Sequence, residues 1–219
     1  MDESEFLASY RPESYERLSV TVDLVLFTIR DETLQVLLTR RKEHPFLGRL
    51  ALPGVFVRPD ETLDASAERA LSQKTGLHDI YFEQLYTWGD TERDPRMRVI
   101  SVSYCALVPW ESISLPDGDA AFFPASELAA SQELAFDHAR IIGYGIERIR
   151  NKVNYTDIAF SLVGEEFTLP ELQKVYEILL GMPLYKANFR RKIADKLLET
   201  DKMTSGAAHR PSRIYRKKV

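Results

Sequence analysis

Apolar positions along the chain alternate between periods of two and of three to four, and the switches mark out its elements. VTVDLVLFTI (20–29) is a β-rich run, and the polar RDET turns it into LQVLLTRR (34–41), so a β-hairpin is expected. The Pro- and Gly-punctuated HPFLGRLALPGVFVRPDE then connects to a helix from Leu63 to Lys74. Thr62 is placed to cap it, Asp64 lies in its first turn, and Gly76 marks its end. IYFEQLYTWG and RVISVSYCALV are further strands, separated by the charged loop DTERDPRMR. LAFDHARIIGYGIERIRNKV has helical spacing, with Ile142, Ile146, Ile149 and Val153 on one face. This order of elements predicts an α+β body over residues 1–155 that includes a short N-terminal arm.

A second unit is expected over residues 156–219. In EEFTLPELQKVYEILLGMP, Thr168 caps an amphipathic helix built on Leu169, Leu172, Val175, Tyr176, Leu179 and Leu180, which stops at Gly181. Pro183 precedes a second helix, expected from Lys186 to about Glu199, with Phe189, Ile193 and Leu197 facing inward. MTSGAAHRPSRIYRKK then forms a loop that returns through a short strand. Two short helices, a tight turn and a basic hairpin outline a winged helix-turn-helix.

Composition narrows the class. Of 219 residues, 44% are hydrophobic and 28% charged, ordinary values for a soluble protein. The longest apolar run fits a strand rather than a membrane span, and the acidic MDESEFLASY lacks the parts of a secretion signal, so a cytoplasmic location is expected. The single cysteine, Cys105, excludes an intrachain disulfide and suggests no cysteine-based metal site. Charge is uneven: residues 183–219 hold 11 Lys and Arg against 3 Asp and Glu, while the whole chain carries −4. A basic end on an acidic body points to a polyanion partner for that end.

VFVRPDETLDASAERALSQKTGL (55–77) resembles the Nudix box without a gap: Glu61, Arg69, Leu71, Gly76 and Leu77 match, and LPG (52–54) is the usual lead-in. Val55 stands where the pattern begins with Gly. Ala70, Gln73 and Lys74 stand where it has three carboxylates, which in that family hold the divalent cations that bridge a diphosphate. These positions are three and four residues apart and share a helix face. Mg²⁺ takes hard oxygen ligands, so alanine, a neutral amide and an ammonium at these positions argue against metal-assisted phosphoanhydride cleavage. No metal, no cofactor and no catalytic residues are expected. The family pattern pairs Arg69 with the motif carboxylates, and Lys74 offers an ammonium where metal charge would be. Arg40, Arg41, Arg58, Glu61, Arg69, Lys74 and Arg98 are the candidate effector-binding residues.

In the second C-terminal helix Asn188 and Arg191 project outward, flanked by Lys186, Arg190 and Lys192. Arg and Asn suit guanine and adenine edges in a major groove. Downstream, His209, Arg210, Arg213 and Lys217, with Arg216 and Lys218, supply charge to follow phosphates. FTLPELQKVYEILLGMPLYKANFRRKI, HRPSRIY, HPFLGRLALPG and LAFDH together resemble the Nudix-related transcriptional regulators, the NrtR family, from about Leu18 to Tyr215. Departures are His209 where the family has Gly, and Val55.

The resemblance implies a Nudix-like α/β/α sandwich with a C-terminal winged helix-turn-helix, in a bacterial homodimer on a pseudo-palindromic double-stranded operator. Its implied function is repression of NAD-metabolism genes, with the inactive Nudix domain sensing ADP-ribose or a related metabolite. Some relatives respond instead to a pentose such as arabinose, and the sequence does not choose between the two effectors. An active hydrolase built on Glu61, Glu68 and Gln73, and a protein-interaction scaffold, are the readings from other classes.

Overall fold

The computed structural model describes residues 2–78, 80–115, 118–204 and 211–218, apart from the side chain of Lys74. A short exposed helix, α1 (Glu3–Ser9), precedes the body. Strands β1 (Ser19–Arg30) and β2 (Thr33–Arg40) form the expected hairpin, with Asp31 and Glu32 both at positive φ in its turn. Two positive φ values across a two-residue loop match the right-handed twist of the flanking strands. Next come β3 (Leu50–Ala51), β4 (Gly54–Phe56), α2 (Leu63–Thr75), β5 (Phe82–Trp88), β6 (Val99–Leu107), β7 (Ala120–Pro124), α3 (Ala125–Ala129) and α4 (His138–Lys152).

The seven strands make one mixed sheet ordered β3-β2-β1-β6-β5, with β4 added to β1 and β7 to β2; β1 runs parallel to β6. Strand β1 is covered on both faces. Val22, Leu24 and Leu26 join Ala67, Ala70 and Leu71 of α2, while Val25 and Phe27 join Ile141, Ile142 and Ile149 of α4. Period-two alternation thus splits an apolar run between two cores and yields the α/β/α sandwich. Helix α4 lies close against the sheet, since a Cβ on Gly145 would meet the Phe27 ring at 3.1 Å.

Helix α2 has its expected ends, with Thr62 accepting from the Ala65 N–H and Gly76 left-handed. Helix α4 corrects its expected start. LAFD lies outside it, and Phe136 takes φ 53°, a conformation no helix accommodates, so the helix begins at His138.

The C-terminal unit holds a 3₁₀ turn (Ile158–Leu162), β8 (Phe167–Thr168), α5 (Leu169–Leu180), α6 (Lys186–Ile193), β9 (Leu197–Met203) and β10 (Arg213–Lys217), its sheet ordered β8-β10-β9. Thr168 and Glu171 form a reciprocal capping box on α5, and Gly181 ends it at φ 70°. The second helix is shorter than its periodicity suggested. It stops at Ile193, and Leu197 opens a strand paired with Lys217. An apolar residue four places on satisfies a helix pattern, but it serves equally as the first inward residue of a strand. One apolar cluster runs from Phe27 and Ile141 in the body to Phe160, Leu172, Tyr176 and Phe189 in the C-terminal unit. Among the described residues no helix is long and apolar enough to cross a membrane.

Candidate functional site

A cavity of about 440 Å³ opens where β1, β2 and β4 meet the β5–β6 loop, a size that suits a nucleotide-sized ligand. Its wall includes Arg40, Arg41, Phe56, Arg96, Phe136 and, from α2, Gln73. The Arg41 guanidinium lies 4.8 Å from the Phe136 ring centroid, and that of Arg96 lies 6.0 Å from Phe136 and 5.9 Å from Phe56. Burial and the facing Arg96 charge both push Arg41 below the ordinary arginine range. Two guanidinium groups whose charges oppose each other gain from an anion placed between them. Thr21 adds a buried hydroxyl to the wall that has no hydrogen-bond partner among the described residues. The arrangement can hold a molecule that combines anionic groups with a flat ring.

Beneath the cavity lies a buried charge cluster. Asp23 accepts from the Ser101 hydroxyl at 2.5 Å and sits 3.5 Å from Arg93. Arg93, its side chain only 4% exposed, also donates twice to Asp137, at 2.7 and 3.1 Å. His138 Nδ1 accepts the Leu52 N–H at 2.8 Å, which leaves the proton on Nε2, 3.9 Å from Asp23. Burial lowers the His138 pKa, so the ring is held neutral. Gly54 is required here by close approach, because a Cβ would lie 2.3 Å from Asp23 Oδ1 and 2.9 Å from the Val22 carbonyl.

The seven candidate effector residues separate. Arg40 and Arg41 line the cavity. Glu61 and Arg69 form a forked pair at 2.6 and 2.7 Å beside it, and Arg69 also donates to the Phe56 carbonyl. That pair pulls the Glu61 carboxyl down to about 2. Arg58 is exposed, 3.8 Å from Glu61. Arg98 donates to the Asp90 carbonyl within its own loop. The side chain of Lys74 lies outside the described residues, although its backbone continues α2.

Sequence reasoning missed Asp23, Arg93, Asp94, Arg96, Phe136 and His138. Asp23 had a signal: a carboxylate inside a run buried on both faces needs a partner. Asp94 and Arg96, bonded to each other at 2.8 and 3.0 Å, lie in the charged DTERDPRMR loop, whose pattern singles out neither residue.

The residues present do not fit a diphosphate-bridging Mg²⁺. Ala70 is fully buried in the α2 core, and the Glu61 oxygens already accept from Arg69, Ser66 and the Arg58 N–H. Among the described residues no group of three or more His, Cys, Asp and Glu is arranged to hold a metal ion.

A second surface is built on α6. The edge-to-face contact of Phe189 with Tyr176, centroids 5.3 Å apart, seats it against α5. Glu177 fixes the intervening turn by accepting from the Leu184 N–H and the Gln173 amide, both at 2.9 Å. Lys186, Asn188, Arg190, Arg191 and Lys192 all remain exposed. Among the described residues none of these four cations makes a salt bridge, and Arg191 only reaches Asn188 at 3.4 Å. Hairpin cations differ: Arg213 pairs with Glu199, Arg216 with Glu166, and Lys217 with Asp157 at 3.2 Å. His209 and Arg210 lie outside the described residues.

Comparison with known proteins bears on both surfaces. The family model for the NUDIX domain matches residues 19–143, and that for the NrtR DNA-binding winged helix domain matches residues 159–217. A curated relative from Acinetobacter baylyi, named ADPR responsive transcriptional repressor NtrR, is 36% identical over 98% of this chain and 88% of its own. Shewanella oneidensis NrtR, solved in complex with a 27mer DNA, is 39% identical with a TM-score of 0.81, covering 91% of this chain and 93% of that one. The NUDIX domain of the same protein, solved with ADP ribose, is 38% identical with a TM-score of 0.61, covering 68% of this chain and 99% of that one.

Proposed function

The chain belongs to the NrtR family, NUDIX proteins with a C-terminal DNA-binding winged helix domain, and we propose that it is an ADP-ribose-responsive transcriptional repressor of NAD-metabolism genes. One observation carries the reading: a cation- and aromatic-lined cavity shares a single apolar core with a helix whose four cations make no salt bridge among the described residues. Diphosphate oxygens meet Arg41 and Arg96, and the adenine ring meets Phe56 and Phe136. With Ala70, Gln73 and Lys74 in the motif helix the site binds without cutting. Residues 1–155 form the sensing unit and 156–219 the reading unit.

A homodimer sets two copies of α6 on a pseudo-palindromic site, with half-sites about 34 Å or a multiple apart. Such a regulator works in the cytoplasm, on the nucleoid. ADP-ribose and DNA then oppose each other through one coupling free energy.

The test is a selection of fragmented genomic DNA on the purified protein, sequenced with and without ADP-ribose. Discrete sites beside NAD genes, lost on adding ADP-ribose, are expected; sites beside sugar genes that respond to arabinose instead would overturn the effector. In parallel, ADP-ribose incubated with the protein and Mg²⁺ is expected to survive at the rate of a protein-free control. Metal-dependent turnover would overturn the non-enzymatic reading.

Within the recognition surface, Arg191→Ala is expected to cost about 1–3 kcal/mol on the selected site and to flatten discrimination at one base position. Competition binding against single-base variants of the site measures it. Unchanged sequence preference would place base reading elsewhere on α6.

A further inference from the structure

Building on the repressor reading, we propose that Arg93 and Asp137 form the joint through which cavity occupancy acts on the DNA-binding unit. Arg93 directly precedes Asp94 and lies three residues before Arg96, two cavity-wall residues of the β5–β6 loop. Its guanidinium is buried and makes a forked pair with Asp137, the residue at the N-cap of α4. The same guanidinium faces Asp23 on the cavity floor at 3.5 Å. One residue further, His138 holds the Leu52 N–H and so the LPG segment, and its ring lies 5.3 Å from that of Phe136. Three parts of the wall (the Leu52–Phe56 segment, the Arg93–Arg96 loop and Phe136) are therefore fastened to the first residues of one helix.

That helix reaches the other unit. Fifteen residues of α4 span about 22 Å at the helical rise. Midway, Gly145 sits tightly on Phe27. Near the far end, Arg150 Nη2 lies 3.2 Å from where a Cβ of Gly181 would be, at the end of α5, and Lys152 pairs with Glu83 at 2.5 Å. Helix α5 in turn seats α6 through Tyr176 and Phe189. A buried fork between arginine and carboxylate is costly to break, so the loop and the start of α4 move as one body. When an anion draws Arg96, the loop carries Arg93, and Arg93 carries α4 against α5. Arg93 and Asp137 are positioning residues: neither needs to touch DNA.

The experiment uses the full chain, ADP-ribose, and a labelled DNA duplex recovered from the genomic selection. In the wild type, ADP-ribose is expected to weaken DNA binding at least about fivefold. Asp137→Asn keeps the volume and removes the charge. It is expected to leave ADP-ribose affinity and ligand-free DNA affinity each within about threefold, while the effect of one ligand on the other falls below about twofold. Asp137→Ser, which keeps a helix-capping side chain but cannot accept the fork, is expected to behave the same and decides the matter if Asp137→Asn melts at assay temperature. A wild-type response retained in the folded variants would overturn the joint alone. A tenfold loss of ADP-ribose affinity would make the pair part of the ligand site and overturn it too. A wild type whose DNA affinity ignores ADP-ribose would overturn the repressor reading, and the joint with it. Amide exchange of the wild type supplies an independent readout: ADP-ribose is expected to change protection over residues 137–152. DNA release with no change there would also overturn the joint.

Discussion

Phe189→Ala is expected to destabilise the chain by about 3–5 kcal/mol and to abolish site-specific DNA binding. Phe189 is buried on the inner face of α6, against a Tyr176 ring that is itself 1% exposed. Alanine leaves a hole that rigid neighbours cannot close, and α6 has only eight residues and no side-chain N-cap to hold it otherwise. Because the same apolar cluster continues into the body, the loss is expected as one lowered unfolding midpoint rather than as a separate early transition. Denaturant titration followed by far-ultraviolet dichroism measures the first effect, and fluorescence anisotropy with the selected duplex the second. A destabilisation below about 1 kcal/mol with DNA binding intact would show that α6 is held by something other than this contact.

The second large effect falls on the cavity. Gly54→Ala sets a methyl group against Asp23 and the Val22 carbonyl, and neither yields readily. Asp23 is tied by Ser101 and Arg93, and Val22 pairs with Val55 in the sheet. Relief must come from displacing β4 or from pushing Asp23 off its partners, at about 1–3 kcal/mol for the overpacking and more if the buried Arg93 charge loses Asp23. Either movement shifts Val55 and Phe56 in the cavity wall, so ADP-ribose affinity is expected to fall at least about tenfold, the equivalent of 1.4 kcal/mol. Calorimetric titration and thermal melting measure the two together. Wild-type affinity and melting temperature would mean that the strand relaxes freely at this point.

Much of the fold was legible because local rules and tertiary demands agree. Thr62 and Gly76 bracket α2, and Thr168, Glu171 and Gly181 bracket α5, each through bonds made within a few residues. Where local rules permit two outcomes, periodicity misled. Leu197 extends the spacing of Phe189 and Ile193, yet its backbone pairs with Lys217, twenty residues on. Helix α4 was begun too early because nothing in LAFD announces that Phe136 turns left-handed beside His138.

The site divides in the same way. Substitutions at Ala70, Gln73 and Lys74 are visible in the chain because a helix of known register puts them on one face. The exposed cations of α6 were visible for the same reason. Arg93, Asp94 and Arg96 were not, because a charged loop has the same composition whether solvent surrounds it or a cavity does.

By itself, then, the sequence determined what short-range chemistry determines: the order of the main strands and helices, the caps of α2 and α5, the absence of carboxylates at positions 70, 73 and 74 of the motif helix, and the basic face of α6. Only the tertiary structure decided which charges meet. It put Arg93 between Asp23 and Asp137, residues 70 and 44 positions away, and turned Arg41 and Arg96 toward one space. Such pairings depend on strand order and on the packing of α4 against the sheet. Both are settled by burying two apolar faces at once, and no local stretch of chain encodes them.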